Sequence, residues 1–233
     1  MNPARRNQLL AIAGFALIIV VALIVISQSG GDDDGGGGSG AGGLSLAGIE
    51  QRGNALGDPD APLTMVEFAD LQCPFCAEFA TGGALAGIVD EYVRAGDLRI
   101  EFEPLTFIGP DSVRAARVAV AAGEQGRLWD FVDLFYENQG PENSGYADDE
   151  FITRLLERIE GLDVDRVLAD REEGSVTRAL EQAARRAEDA GIDSTPSFLL
   201  GPTGGELEPL AVDSLDFGAF EGPIEDALAA ANG

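Results

Sequence analysis

The sequence predicts an α/β domain carried behind an N-terminal transmembrane helix. Its order is a βαβ unit, a helical insertion, a β-hairpin and a closing helix. Three observations carry that prediction. Between residues 63 and 105 the hydrophobic pattern reads strand, helix, strand. From 111 to 190 it is helical throughout. Near residue 197 it returns to short apolar runs around a Pro-Thr-Gly-Gly turn, and a last amphipathic stretch follows.

The N-terminus comes first. Arg5 and Arg6 precede Leu9–Ile26, an unbroken run of 18 apolar or small residues. As a helix that run spans about 27 Å, close to the hydrocarbon thickness of a bilayer. Asp32, Asp33 and Asp34 follow it, so the charge balance leaves the N-terminus in the cytoplasm and exports the remainder. The alternative is a cleaved signal peptide, but the run is long for one and only Val25-x-Ser27 resembles a cleavage site. Residues 1–29 are therefore read as a cytoplasmic tip and signal anchor, single-pass in the cell membrane. Residues 30–57 are read as a linker, Gly-, Ser- and Asp-rich over Gly30–Gly43, with Leu44–Gly57 either packing along the domain edge or adding a short strand. Residues 58–233 form the folded domain, outside the cytoplasm.

Within it, Leu63–Ala69 is the first strand. Residues 74–95 read as a helix with Leu85, Ile88, Val89 and Tyr92 at helical spacing, bent or broken at Gly82-Gly83. Leu98–Leu105 alternates as a second strand, which a right-handed crossover makes parallel to the first. In the insertion, about 111–190, four or five helices are marked by glycines. Leu128, Phe131, Val132 and Phe135 form one apolar stripe, and Phe151, Ile152, Leu155, Leu156 and Ile159 another. Both stripes read as core, and Trp129 and Tyr136 beside the first read as packed. Ser197–Leu200 and Glu206–Leu210 form the hairpin. Phe217–Ala231 is the last helix, with Phe220, Ile224, Ala227 and Leu228 on one side.

Composition excludes several functions. The chain carries 41 Asp and Glu against 15 cations, all of them Arg, and a formal charge of −26. No basic patch is available to neutralise phosphates, so nucleic acid is not a partner. There is no His, which removes the commonest general base and metal ligand. No segment reads as a dimerisation element, so a monomer is expected.

Chemistry concentrates at Cys73-Pro74-Phe75-Cys76, which holds the only two cysteines of the chain. The spacing is open to three readings: a zinc site, a local staple or a redox dithiol. Zinc normally takes four ligands, and two Cys without His supply too few. No metal or cofactor is expected. A C-x-x-C at a strand-to-helix turn, in an exported domain, suits thiol–disulfide exchange.

Three features together resemble the thioredoxin fold with a helical insertion. They are the C-P-F-C turn, Glu67 six residues before Cys73 inside an apolar strand, and Thr195-Pro196 just before a late strand. The resemblance spans about 58–233. It is closest to DsbA-like exported thiol–disulfide oxidoreductases, especially the membrane-anchored bacterial ones. It implies a buried acid at Glu67 that exchanges a proton with Cys76 through water. It also implies a cis-proline loop at Pro196, where the Thr195 backbone pairs with an extended substrate. Cys73 would cap the helix with Pro74 at its first position, and the helix dipole would favour a Cys73 thiolate. Such placement lowers a thiol from ~8.5 into roughly 3.5–7.5. Cys73 is then the exposed, attacking sulfur and Cys76 the buried, resolving one. Phe75 stands where many DsbA-like oxidases carry His, which leaves the direction open, and it can offer an apolar contact to substrate together with Pro74.

The resulting expectation is a dithiol oxidase acting on reduced, cysteine-containing exported proteins and recycled by a quinone-linked membrane reoxidase. A reductase or isomerase is the first alternative, and a non-enzymatic thioredoxin-like binding module the second.

Overall fold

A computed structural model describes residues 44–231 of the chain. The expected transmembrane helix over Leu9–Ile26, and the linker up to residue 43, lie outside the described residues. Among the described residues no helix is long and apolar enough to cross a membrane.

The centre is a six-stranded mixed sheet. Its strands are β1 (Gln51–Arg52), β2 (Ala55–Leu56), β3 (Leu63–Ala69), β4 (Leu98–Pro104), β5 (Ser197–Pro202) and β6 (Glu208–Leu210). They lie in the order β1-β2-β4-β3-β5-β6. β3 and β4 pair in parallel, with Leu63 opposite Leu98, and the other pairings are antiparallel. β3 is buried along its whole length because strands flank it on both sides and helices cover both faces.

Eight helices surround the sheet among the described residues. They are α1 (Pro74–Thr81), α2 (Ala84–Ile88), α3 (Pro110–Gly123), α4 (Leu128–Glu137), α5 (Asp149–Leu156), α6 (Val164–Asp170), α7 (Gly174–Asp189) and α8 (Gly218–Ala231). A π-helical turn, Val89–Val93, continues α2. The long helix read over 74–95 is thus divided where the glycines stand. Gly83 has φ 101°, a left-handed conformation that side chains disfavour. The insertion holds five helices, α3 to α7, and both apolar stripes pack into the core, Phe151 half-buried at its margin, with Trp129 and Tyr136 packed beside the first.

Leu44–Gly57, read as packing along the domain edge or adding a short strand, contributes β1 and β2 to the sheet, and Leu56 is fully buried. β2 pairs along the free edge of β4, and Trp129 Nε1 donates to Asn54 O at 3.1 Å. Further N-terminal, the Leu44 N–H donates to Asp133 at 3.1 Å. Two-residue strands are too short to show a period of two, so the pattern could not give these strands their bounds or partners.

α1 lies against the sheet through three aromatic rings. Phe79 meets Phe198 of β5 at 4.8 Å and Phe220 of α8 at 5.3 Å, between ring centroids. Phe198 and Phe220 close the triangle at 5.1 Å, edge to face. Each ring is buried, and such pairs add about 0.5–1.5 kcal/mol beyond area burial. This packing sets α1 with its N-terminus at the carboxyl end of β3.

Candidate active site

Cys73 is the N-cap of α1 and Pro74 its first residue. The strand carries its hydrogen bonding up to Ala69, and a tight turn follows in which the Cys73 N–H donates to Asp70 O at 2.9 Å. Proline at the helix start removes an N–H that would have no partner there. Phe75 points outward, 59% exposed, and Pro74 is exposed beside it. Cys76, one turn along, is fully buried.

The two thiols are free, and their environments differ. The Cys73 thiol is lowered from 9.0 to about 6. The hydrogen bond from Cys76 is the largest cause; the Thr195 side chain and the Cys76 and Phe75 N–H groups add to it, against an opposing cost of burial. Cys76 is pushed far above the ordinary thiol range, first by burial, then by its bond to Cys73 and by the charge of Glu67. The arrangement therefore holds one proton on Cys76 and leaves Cys73 as thiolate near neutrality. One expectation needs amending: Cys73 is only 6% exposed, so it is the more accessible sulfur without being open to solvent. The α1 N-terminus and the 195–196 loop enclose it.

That loop comes from the opposite end of the domain sequence. The Thr195–Pro196 peptide is cis, and both residues are half-buried at the start of β5. Cys73 Sγ, while protonated, donates to Thr195 O at 3.3 Å. Glu67 sits in the middle of β3, 1% exposed. Burial, and secondarily the charge of Cys73, raise it from 4.5 to about 8. Glu67 Oε1 has no hydrogen-bond partner among the described residues. The structure thus brings together Glu67, Cys73, Cys76, Thr195 and Pro196, with Pro74 and Phe75 on the rim.

Sequence reading missed the residues that hold the turn from the insertion side. Tyr136 of α4 is buried, and its hydroxyl donates to Asp70 O at 3.3 Å. Asp70 accepts from the Gln72 N–H at 2.9 Å and the Ile108 N–H at 3.1 Å. Gln72 donates to Ser112 Oγ at 2.8 Å and accepts from the Asn143 N–H at 2.6 Å. Gln139 Nε2 donates to Leu71 O at 2.8 Å and Cys73 O at 3.2 Å. These partners lie 38 to 71 residues from the turn, with no motif to mark them. The strap is tight: a Cβ on Gly140 would lie 2.6 Å from the Tyr146 ring. No cluster of Cys, Asp or Glu among the described residues could hold a metal ion.

A dithiol at a helix N-terminus, faced by a buried acid and a cis-proline loop, defines a thiol–disulfide oxidoreductase built on the thioredoxin scaffold. The chain belongs to the thioredoxin family, whose pattern it matches over residues 50–209. A relative from Bacillus anthracis, "Probable disulfide bond formation protein D", is 27% identical over 164 residues, covering 69% of this chain and 74% of the relative. Among solved structures, BdbD from Bacillus subtilis (oxidised) superposes with a TM-score of 0.65 at 21% identity, covering 81% of this chain and 97% of that one. A thioredoxin-like oxidoreductase from Silicibacter pomeroyi superposes at 0.57 with 26% identity, over 74% of this chain and 90% of that one. The fold is of the DsbA type, a thioredoxin core with a helical insertion.

Proposed function

We propose that the protein is a membrane-anchored, extracytoplasmic dithiol oxidase that introduces disulfides into exported proteins. The observation that carries this reading is the split between the two thiols. Cys73 lies near 6 while Cys76 is raised far above the thiol range. A thiolate stabilised in the reduced form makes the disulfide form the stronger oxidant.

The steps balance. A substrate thiolate attacks Cys73 Sγ, breaking the Cys73–Cys76 bond and forming a mixed disulfide. The departing Cys76 sulfur takes a proton, for which Glu67, kept protonated by burial, is the nearby acid. A second substrate thiolate attacks the substrate sulfur of the mixed disulfide and expels Cys73 as thiolate. The substrate loses two electrons and gains a disulfide, and the protein is left as a dithiol. Extended substrate pairs with the Thr195 backbone, and Phe75 and Pro74 offer it an apolar rim. A quinone-linked reoxidase in the membrane restores the disulfide. The anchor reading rests on Leu9–Ile26 with its flanking charges, and the name of the Bacillus anthracis relative supports the direction.

The test is the equilibrium of the full-length protein with glutathione. An oxidase lies well above thioredoxin's ~−270 mV, toward DsbA's ~−120 mV. A value near thioredoxin's overturns the proposed direction in favour of a reductase. Recovery of scrambled substrate faster than oxidation of reduced substrate would point to an isomerase.

A further inference from the structure

Phe75 brings no charge to the dithiol, and the ionisable groups that act on the pair supply no cation either. Glu67 of β3, Cys76 of α1 and Tyr136 of α4 carry no positive charge in any protonation state. The Cys73 thiolate must therefore be stabilised by neutral dipoles. The Cys76 thiol is the largest source, and the Thr195 side chain and the N–H groups at the helix N-terminus add to it. Gln139, in the strap after α4, is placed to supply another.

Its amide reaches two carbonyls of the active-site turn, Leu71 O at 2.8 Å and Cys73 O at 3.2 Å. The second is the carbonyl that accepts the first bond of α1, from the Ala77 N–H at 3.1 Å. That oxygen belongs to the cysteine itself, so its partial negative charge lies a few bonds from Sγ and opposes ionisation. A donor aimed at it offsets that charge. The same donor holds the Cys73–Pro74 peptide, which leads into the first turn of α1 where the Phe75 and Cys76 N–H groups lie.

We propose that Gln139 is a positioning residue of the redox centre, which favours the Cys73 thiolate by donating to the Leu71 and Cys73 carbonyls. This rests on reading Cys73–Cys76 as a redox couple, but not on the direction in which the couple runs. The insertion then does more than cover the sheet: it sets the poise of the dithiol through one neutral side chain. Gln139 does not touch the sulfur, and its effect passes through the backbone.

The test compares the full-length protein with Gln139→Met, which keeps the length of the side chain and removes both donors. Thiolate absorbance against pH reads Cys73, and exchange with glutathione reads the couple. Gln139→Met is expected to raise the half-ionisation pH of Cys73 by about half to one unit, the size of one lost neutral hydrogen bond. With a starting value near 6, the glutathione equilibrium at pH 7 then shifts about threefold to fivefold toward the disulfide, roughly 15–20 mV. Gln139→Glu, with acceptors in place of a donor, is expected to shift both readouts further the same way, and it serves alone if the Met variant does not fold. Lower thermal stability with both readouts unchanged would assign Gln139 to packing and overturn the proposal. Because only differences from the parent are read, the result stands apart from the parent's own potential, which tests the oxidase reading.

Discussion

Burial sets Glu67 against its own ionisation. Its folded value, about 8, lies above its unfolded 4.5, so the unfolded chain releases that proton first as pH rises. Folding stability therefore falls with pH between those two values. Cys73 works in the opposite sense. Its folded value is near 6 against 9.0 unfolded, so it contributes stability that is present above 9 and lost as pH falls through 6. Asp133, raised by burial from 3.8 to about 7, titrates in the same range, but it is common to parent and variant, so a Glu67 substitution isolates the Glu67 contribution. For the reduced protein, the stability gained by Glu67→Gln over the parent should widen by about 1 kcal/mol from pH 5 to pH 6. Denaturant titrations at the two pH values measure it, and a constant difference would show that Glu67 is not ionised against burial. The same substitution should slow the step in which Cys76 takes up a proton.

α1 carries the site, and aromatic contacts carry α1. Phe79 is fully buried between Phe198 and Phe220, so its removal leaves a cavity that the strand cannot collapse to fill. Phe79→Ala is expected to cost about 3–5 kcal/mol, read as a lower denaturant midpoint. A cost under about 1 kcal/mol would mean that α1 is held mainly by the strap from α4. At this scale the sequence was legible wherever a periodicity ran long enough. β3, β4, the helical stripes and the closing helix lie within a few residues of where their patterns place them. For Leu44–Gly57 the sequence left a short strand or edge packing open and did not place β1 or β2, because a two-residue strand is defined by its partner's edge and not by its own pattern.

Over the whole chain, 41 acids face 15 arginines. Several arginines sit in surface pairs, such as Arg154 with Glu150 and Arg171 with Asp149. Exposed pairs contribute about 0–1 kcal/mol each, and salt weakens them. Repulsion among a net −26 charges is also screened by salt, and it is spread over the entire surface. The second effect should win. The midpoint of thermal unfolding is expected to rise as ionic strength goes from about 0.01 to 0.15 M, where the screening length falls from ~30 to ~8 Å. A falling midpoint would mean that the arginine pairs outweigh the repulsion.

By itself the sequence determined the order of elements, the dithiol and its place at a strand-to-helix turn, because periodicity and spacing are local properties of a chain. It also marked Glu67 and Thr195-Pro196 as partners, through resemblance. Only the tertiary structure decided how these residues act on one another. Glu67 holds its proton because β4 and β5 flank its strand and helices close over it. Cys73 and Cys76 diverge in acidity because Cys73 accepts a hydrogen bond from Cys76, beside Thr195 at a helix N-terminus, while Cys76 lies beneath it buried in the core. The grip of Tyr136, Gln139 and Asn143 on the turn comes from contacts across 66 to 71 residues of chain. Ionisation follows solvation and nearby dipoles, and a chain acquires these only when distant segments pack together.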